Sequence, residues 1–250
     1  MLTLCRKTID RICWEEREWR WPSRPSFLHD ELDQAVLREV DWQPGERLLD
    51  VGCAGGVYMQ ALAGRGVRPV GIDLDRSSLK KAAASNLRIA AADGLSLPFA
   101  DESFDGVLCH KTLYLFRDPP AAARELTRVL RSGGRLVFSS SNAVSPYARV
   151  QSLALRDRRN ANWSRGNRWT AAQWCRVLAA CGLTIRAIYS CNLVWPIVFR
   201  VCDRWIVPNE WMRRYSRWVR RITGTPLRTG HPLGAAMDYV VEMTKRPPPA

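Results

Sequence analysis

The sequence predicts an α/β fold, a seven-stranded and mostly parallel sheet with helices on both faces. Two observations predict it. Short apolar runs alternate with helix-period segments from residue 46 to 141, the rhythm of strand and crossover helix in a parallel sheet. Glycines also crowd the first strand-to-helix junction, in the stretch LLDVGCAGG (48–56), where such folds bring their backbone close to a ligand.

The elements follow in order. FLHDELDQAVLREV (27–40) has apolar residues at 28, 32, 35, 36 and 40, a helical spacing. The Asp41 to Gly45 stretch, with its Pro-Gly step, breaks that helix, and Glu46 to Val51 reads as a buried strand. VYMQALAG is the next helix, ending at Gly64 or Gly66, and Pro69 to Asp73 is the second strand. SSLKKAAAS (77–85) makes a helix with Ser77 or Ser78 as its N-cap. Arg88 to Ala92, FDGVLC (104–109) and GRLVFSSS (134–141) supply three more strands, with a glycine-closed helix, AAARELTRVLRSGG, between the last two. Past 141 the rhythm changes. An Arg/Asn-rich loop (156–168), a helix over 170–182 and two final strands, LTIRAIYS (183–190) and AMDYVVEMTK (236–245), complete the count of seven.

Composition narrows the function classes. The chain has 250 residues and 46% hydrophobic content, enough for one α/β domain with a substantial core. It has no run of eighteen uncharged apolar residues, and its first 21 residues alternate charge with aromatics, so a membrane span and a cleavable signal peptide are both disfavoured. A cytoplasmic protein is expected. The eight cysteines, at 5, 13, 53, 109, 175, 181, 191 and 202, form no Cys-x-x-Cys pair, which predicts reduced, mostly buried thiols and no metal site. The net charge of +14 is uneven: residues 1–141 carry 20 Lys and Arg against 19 Asp and Glu, and residues 142–250 carry 18 against 5. The positive field belongs to the C-terminal part, and a field of this sign attracts phosphates.

The glycine stretch admits several ligands, which its spacing separates. A dinucleotide fingerprint framed from Gly52 requires glycine at 52, 54 and 57, where the chain has Gly52, Ala54 and Val57. No Gly-Lys-Ser/Thr follows, so a P-loop is excluded. The sequence Asp50-Val51-Gly52-Cys53-Ala54-Gly55-Gly56 instead resembles the first motif of the class I S-adenosylmethionine (SAM) methyltransferases, with Ala54 in place of the middle glycine. VGIDLD puts Asp73 at the end of the second strand, and AADGLSLPFADESFDGVLCH and DPPAAARELTRVLRSGGRLVFS match the blocks that follow in that family. The resemblance covers roughly residues 45–141 and is strongest to the type 11 branch that includes the ubiquinone- and menaquinone-biosynthesis methyltransferases.

The resemblance implies a Rossmann-like sheet whose last strand is antiparallel, with SAM as cofactor. It places Asp50, Gly52, Cys53, Ala54, Gly55 and Gly56 around the methionine end. Asp73 falls on the ribose hydroxyls, Leu74 on the adenine face, and Asp93 with Gly94 at the adenine amino group. Transfer from a sulfonium is an in-line displacement that needs alignment and desolvation above all. If the acceptor is a hydroxyl or an acidic carbon, a base helps, and His110, just past the fourth strand, is the candidate. His110 also fits a pocket-wall role, contacting cofactor or backbone, and Tyr114 fits either the acceptor pocket or plain packing.

Residues 191–234 form a long segment rich in Trp and Arg between the last two strands. EWMRRYSRWVRRI (210–222) sets Trp211, Tyr215, Trp218 or Val219, and Ile222 on one helical face and five arginines on the rest, the pattern of an interfacial helix. Three readings stay open: a lid over the acceptor, a peripheral anchor on an anionic inner membrane face, or an RNA-binding surface. Against RNA, Cys109-His110-Lys111-Thr112 lacks the Asn/Asp-Pro-Pro-Tyr motif of nucleic-acid amino-group methyltransferases. The predicted organisation is an N-terminal extension (1–26), a single domain (27–246) and a disordered tail (247–250). Within the domain, 45–141 is the SAM core and 142–246 the acceptor part that contains the insertion 191–234. The expected activity is O- or C-methylation of a small, hydrophobic or lipid-like acceptor. An RNA methyltransferase and a non-catalytic SAM-fold binding protein are the alternatives.

Overall fold

The computed structural model describes residues 35–142, 170–191, 227–229 and 238–247. The strands are β1 (Arg47–Val51), β2 (Arg68–Asp73), β3 (Arg88–Ala91), β4 (Phe104–Cys109), β5 (Leu130–Ser141), β6 (Leu183–Cys191), β7 (Leu227–Thr229) and β8 (Asp238–Lys245). The helices are α1 (Val57–Ala63), α2 (Arg76–Ala83), α3 (Pro119–Val129) and α4 (Ala171–Ala180), with single turns at Ala35–Glu39 and Leu113–Leu115. One sheet runs β3-β2-β1-β4-β5-β8-β6-β7. Strands β1 to β5 pair in parallel, and β8 lies antiparallel between β5 and β6.

The seven expected strands are therefore present, with the last one antiparallel. The eighth, β7, is a three-residue strand antiparallel to the outer end of β6, inside the segment the sequence reads as an insertion. Three residues are too few for a period-2 pattern to register.

Strand order reverses at β1, so the carboxyl ends of β1, β2 and β4 open on one crevice, the usual ligand position in a doubly wound sheet. Adjacent strand residues face opposite layers, as the pleat requires. Leu49, Val107, Phe138 and Val241 pack with α3 and α4, which supply Ala122, Leu126, Trp174 and Leu178. Leu48, Leu108, Val137 and Val240 pack on the other face with Leu62 of α1 and with Ala35 and Val36. Each such fully buried Leu, Val or Phe contributes about 1.5–3 kcal/mol of transfer free energy, which makes this two-sided layer the main stabilising term.

Several local expectations change. Asp75, not Ser77 or Ser78, caps α2, because its carboxylate reaches both Ser77 N (3.0 Å) and Ser78 N (2.9 Å). α3 starts from Asp118 with proline just inside the helix. It is not closed by glycine: it ends at Val129, and Gly133 (φ +75°) sits in an irregular stretch of β5, where pairing with β4 jumps from Phe104/Leu130 to Gly106/Arg135. α1 passes into a turn at Gly64, and Gly66 takes the left-handed conformation (φ +83°). The Thr170–Gln173 capping box starts α4.

Of the five described cysteines, Cys53, Cys109, Cys175 and Cys191 are buried, Cys181 is half-buried, and all are free thiols. No helix among the described residues is long and apolar enough to cross a membrane. The predicted 27–34 part of the first helix, the 156–168 loop and the 210–222 helix lie outside the described residues.

Candidate cofactor and acceptor site

The glycine turn is built by backbone constraints. Gly52 (φ +79°) and Gly56 (φ +76°) are left-handed, a conformation costly for residues with a Cβ. A Cβ on Gly52 would stand 2.3 Å from Thr112 Oγ1, and one on Gly56 2.3 Å from Leu87 Cδ1, so both positions are sterically closed. Gly52 N and Cys53 N both donate to Ile72 O (2.8 and 3.0 Å), which locks the turn onto β2. Ala54 adopts a left-handed φ of +44° with an exposed side chain, a conformation that costs an alanine about 1–2 kcal/mol. Gly55 faces open space.

Asp73 joins this turn to the end of β2. Its Oδ2 accepts from Ala54 N (2.8 Å) and its Oδ1 from Asp75 N (2.9 Å). A carboxylate offers about four lone-pair sites, so two acceptor positions remain beyond these bonds. Leu74 is 51% exposed and Val57 is 72% exposed, leaving apolar surface on either side of the crevice. The turn after β3 is tied in by Ala92 N to Asp73 O (3.2 Å). There Asp93 is exposed and its Oδ1 accepts from Leu95 N (2.9 Å), while buried Gly94 packs so tightly that a Cβ would lie 2.5 Å from Phe116. Arg128 of α3 fastens the following loop, donating to Leu97 O, Phe99 O, Glu125 and Asp101.

Asp50 lies at the centre of the sheet, 2% exposed. Burial lifts its carboxyl from the ordinary 3.8 to about 7, and the Asp73 carboxylate adds to the rise. Burial, then Asp50 and Asp73, pushes the Cys53 thiol up to about 12, and burial together with Asp50 raises Cys109 well above its usual range. Both shifts favour the protonated thiol over the nucleophilic thiolate.

His110 follows β4 and is held from two sides. Its Nε2 lies 2.9 Å from Tyr58 Oη of α1 and its Nδ1 lies 3.1 Å from Ser139 Oγ of β5. The Tyr58 and His110 ring centroids are 4.5 Å apart at 48°. Lys111 is left-handed (φ +53°), donates its backbone N–H to Ser139 Oγ (2.8 Å) and forms an ion pair with buried Asp238 of β8.

The fold thus gathers Asp50, the 52–56 turn, Asp73, Leu74, Asp93, Gly94 and His110 around the carboxyl ends of neighbouring strands. The sequence reading had missed Tyr58, Ser139, Lys111 and Asp238, whose partnerships exist only across the sheet. Tyr58 alone carried a usable signal, two residues beyond the glycine turn. A groove of about 600 Å³ between α3 and α4, lined by Arg124, Arg128, Val177 and Lys245, shares no residue with this cluster.

A sheet of this order, with a glycine turn after β1 and a carboxylate ending β2, is the architecture of the class I SAM-dependent methyltransferases. Residues 49–138 match the family model described as a methyltransferase domain. A demethylmenaquinone methyltransferase of Corynebacterium kroppenstedtii is 38% identical over 114 residues, 45% of this chain and 50% of that protein. A ubiquinone biosynthesis O-methyltransferase of Chromobacterium violaceum is 34% identical over 147 residues, 54% of this chain and 62% of that protein. The chain thus spans between half and two thirds of the length of these relatives. A SAM-dependent methyltransferase from Thermotoga maritima shares the fold, with a TM-score of 0.61 at 15% identity, over 86% of this chain and 89% of that one.

The residues present fit SAM, the cofactor of this class. Asp73 keeps acceptor capacity for two hydroxyls, Gly55 leaves space above the turn, and Leu74 offers an apolar face.

Proposed function

We propose that the protein transfers a methyl group from SAM to an oxygen or carbon of a small, hydrophobic, lipid-like acceptor of the prenylated quinone-precursor type. The observation that carries this reading is the Asp73 carboxylate, which closes the glycine turn through Ala54 N while keeping two acceptor positions for a ribose. In this reading Asp50, Gly52, Cys53, Ala54, Gly55 and Gly56 surround the methionine end. Leu74 packs on the adenine, and Asp93 with Gly94 meets its amino edge. SAM supplies an activated methyl group. The chain's own residues bind it, orient the acceptor and exclude water.

His110 is the proton-accepting group, placed at the end of β4 beside the turn. The similarity to the demethylmenaquinone and ubiquinone biosynthesis enzymes supports the acceptor class. The basic C-terminal part fits an acceptor drawn from an anionic inner membrane surface by a peripheral, otherwise cytoplasmic protein. An RNA acceptor and a non-catalytic role have less support, since the matched relatives named here act in quinone biosynthesis by name and both are methyltransferases.

The test is transfer of labelled methyl from SAM to a prenylated catechol and to a demethylmenaquinol, with transfer RNA as a third arm. Label in either small acceptor supports the reading. Label in RNA alone, or in none of the three, overturns it.

A further inference from the structure

A base must reach the proton it removes, and both ring nitrogens of His110 already lie within hydrogen-bond distance of a protein hydroxyl. Nε2 is covered by Tyr58 Oη, and Tyr58 stands in the first turn of α1, two residues after Gly56. Behind the ring, Ser139 is fully buried on β5, and its oxygen already accepts from Lys111 N. Lys111 is itself fixed by its ion pair with Asp238. A hydroxyl oxygen accepts two hydrogen bonds, so Ser139 Oγ has room for a second one from His110 Nδ1–H, and in that tautomer Nε2 is the acceptor facing Tyr58.

We propose that Tyr58, His110 and Ser139 form a proton relay in which the Tyr58 hydroxyl meets the acceptor, so that the acceptor carries an ionisable hydroxyl, as a phenol or quinol does. This rests on the methyl-transfer reading above and narrows its substrate class. In the step, the acceptor's O–H bond breaks and its proton passes to Tyr58 Oη as Tyr58's own proton passes to His110 Nε2. The electron pair left on the acceptor oxygen forms the new bond to the methyl carbon; for transfer to a ring carbon that pair instead re-forms C=O and the ring's π pair bonds the methyl carbon, after which the ring C–H proton is lost to water and its pair restores the aromatic ring. The pair of the broken carbon–sulfur bond stays on sulfur. His110 ends as imidazolium, bonded through Nδ1–H to Ser139, and releases its extra proton to water. Tyr58 is the catalytic residue of this relay, His110 its proton acceptor, and Ser139 and Lys111 are positioning residues.

The chain contains three histidines, at 29, 110 and 231, so nitrogen-15 imidazole NMR of the full-length protein resolves His110, assigned with His110→Gln. The relay requires the Nδ1–H form of His110, with its Nε2 resonance moved by Tyr58→Phe and its Nδ1 resonance moved by Ser139→Ala. An Nε2–H form, donating to Tyr58, overturns it without any assay of transfer.

The second readout is turnover on a prenylated catechol. Tyr58→Phe lowers kcat about a hundredfold with SAM affinity unchanged, and the loss shrinks as pH rises toward the catechol's own ionisation, about pH 10 for a phenol. Wild-type protein that binds SAM but methylates no hydroxylated acceptor refutes the methyl-transfer reading. Active wild type with equally active Tyr58→Phe refutes the relay alone.

Discussion

Replacing Asp50 by asparagine isolates what it costs the fold to keep a carboxyl under the glycine turn. Asp50 is 2% exposed, and its carboxyl is lifted from 3.8 to about 7, first by burial and then by Asp73. The folded protein therefore binds its proton more tightly than the unfolded chain does, so stability falls as pH rises between these two values. A rise of about 3 pKa units at 1.36 kcal/mol per unit sets a penalty of about 4 kcal/mol above pH 7, absent below pH 4. About 2.5 kcal/mol of it develops between pH 5 and pH 8. Asp50→Asn carries no ionisation, so its stability relative to wild type improves by about that amount between the two pH values. Urea unfolding of both proteins at pH 5 and pH 8 gives the difference directly, and titrations common to both cancel. An Asp50→Asn offset that is the same at both pH values refutes the claim that Asp50 is a strained, buried acid. Under the proposed function the variant that gains stability also binds SAM less well, the exchange expected of a residue kept for its site.

Gly52→Ala meets Thr112 Oγ1 at 2.3 Å and must hold φ +79°, so it loses about 2–5 kcal/mol in urea unfolding from strain and overlap together. Removing the obstacle in Gly52→Ala/Thr112→Ala recovers part of that loss, whereas an additive double variant means that the two side chains do not collide. Arg128→Ala releases Leu97 O, Phe99 O and Asp101 and leaves Glu125 without its guanidinium. Because the Arg128 side chain is 29% exposed, the loss is held to about 1–3 kcal/mol. Hydrogen exchange over residues 95–101 rises with it, and unchanged exchange shows that the clamp does not hold this loop.

Strands were legible because buried parallel strands are apolar runs bounded by turns, and β4 falls on the predicted FDGVLC without a shift. Asp50, Asp73 and Asp93 could be named through the resemblance of their motifs to the SAM methyltransferases, and they fall within β1, at the end of β2 and two residues past β3. The helix α2 cap went to Asp75 because a carboxylate one turn earlier can serve two backbone donors, which a serine hydroxyl at 77 or 78 does not match. His110 could be named, but its partners could not. Ser139 is 29 residues away and Tyr58 is 52 residues away, and they meet only because β5 and α1 flank the end of β4. The Lys111–Asp238 pair spans 127 residues and depends on β8 turning back between β5 and β6, which no local pattern encodes.

Calorimetric titration of SAM into the wild type and Asp73→Ala tests the central claim most directly. Wild-type protein is expected to bind SAM at one site. In Asp73→Ala the affinity falls by roughly 100-fold or more, since two hydrogen bonds to a charged acceptor contribute about 1.5–3 kcal/mol each. Wild-type protein that binds no SAM, or an Asp73→Ala variant that binds it equally well, contradicts the account.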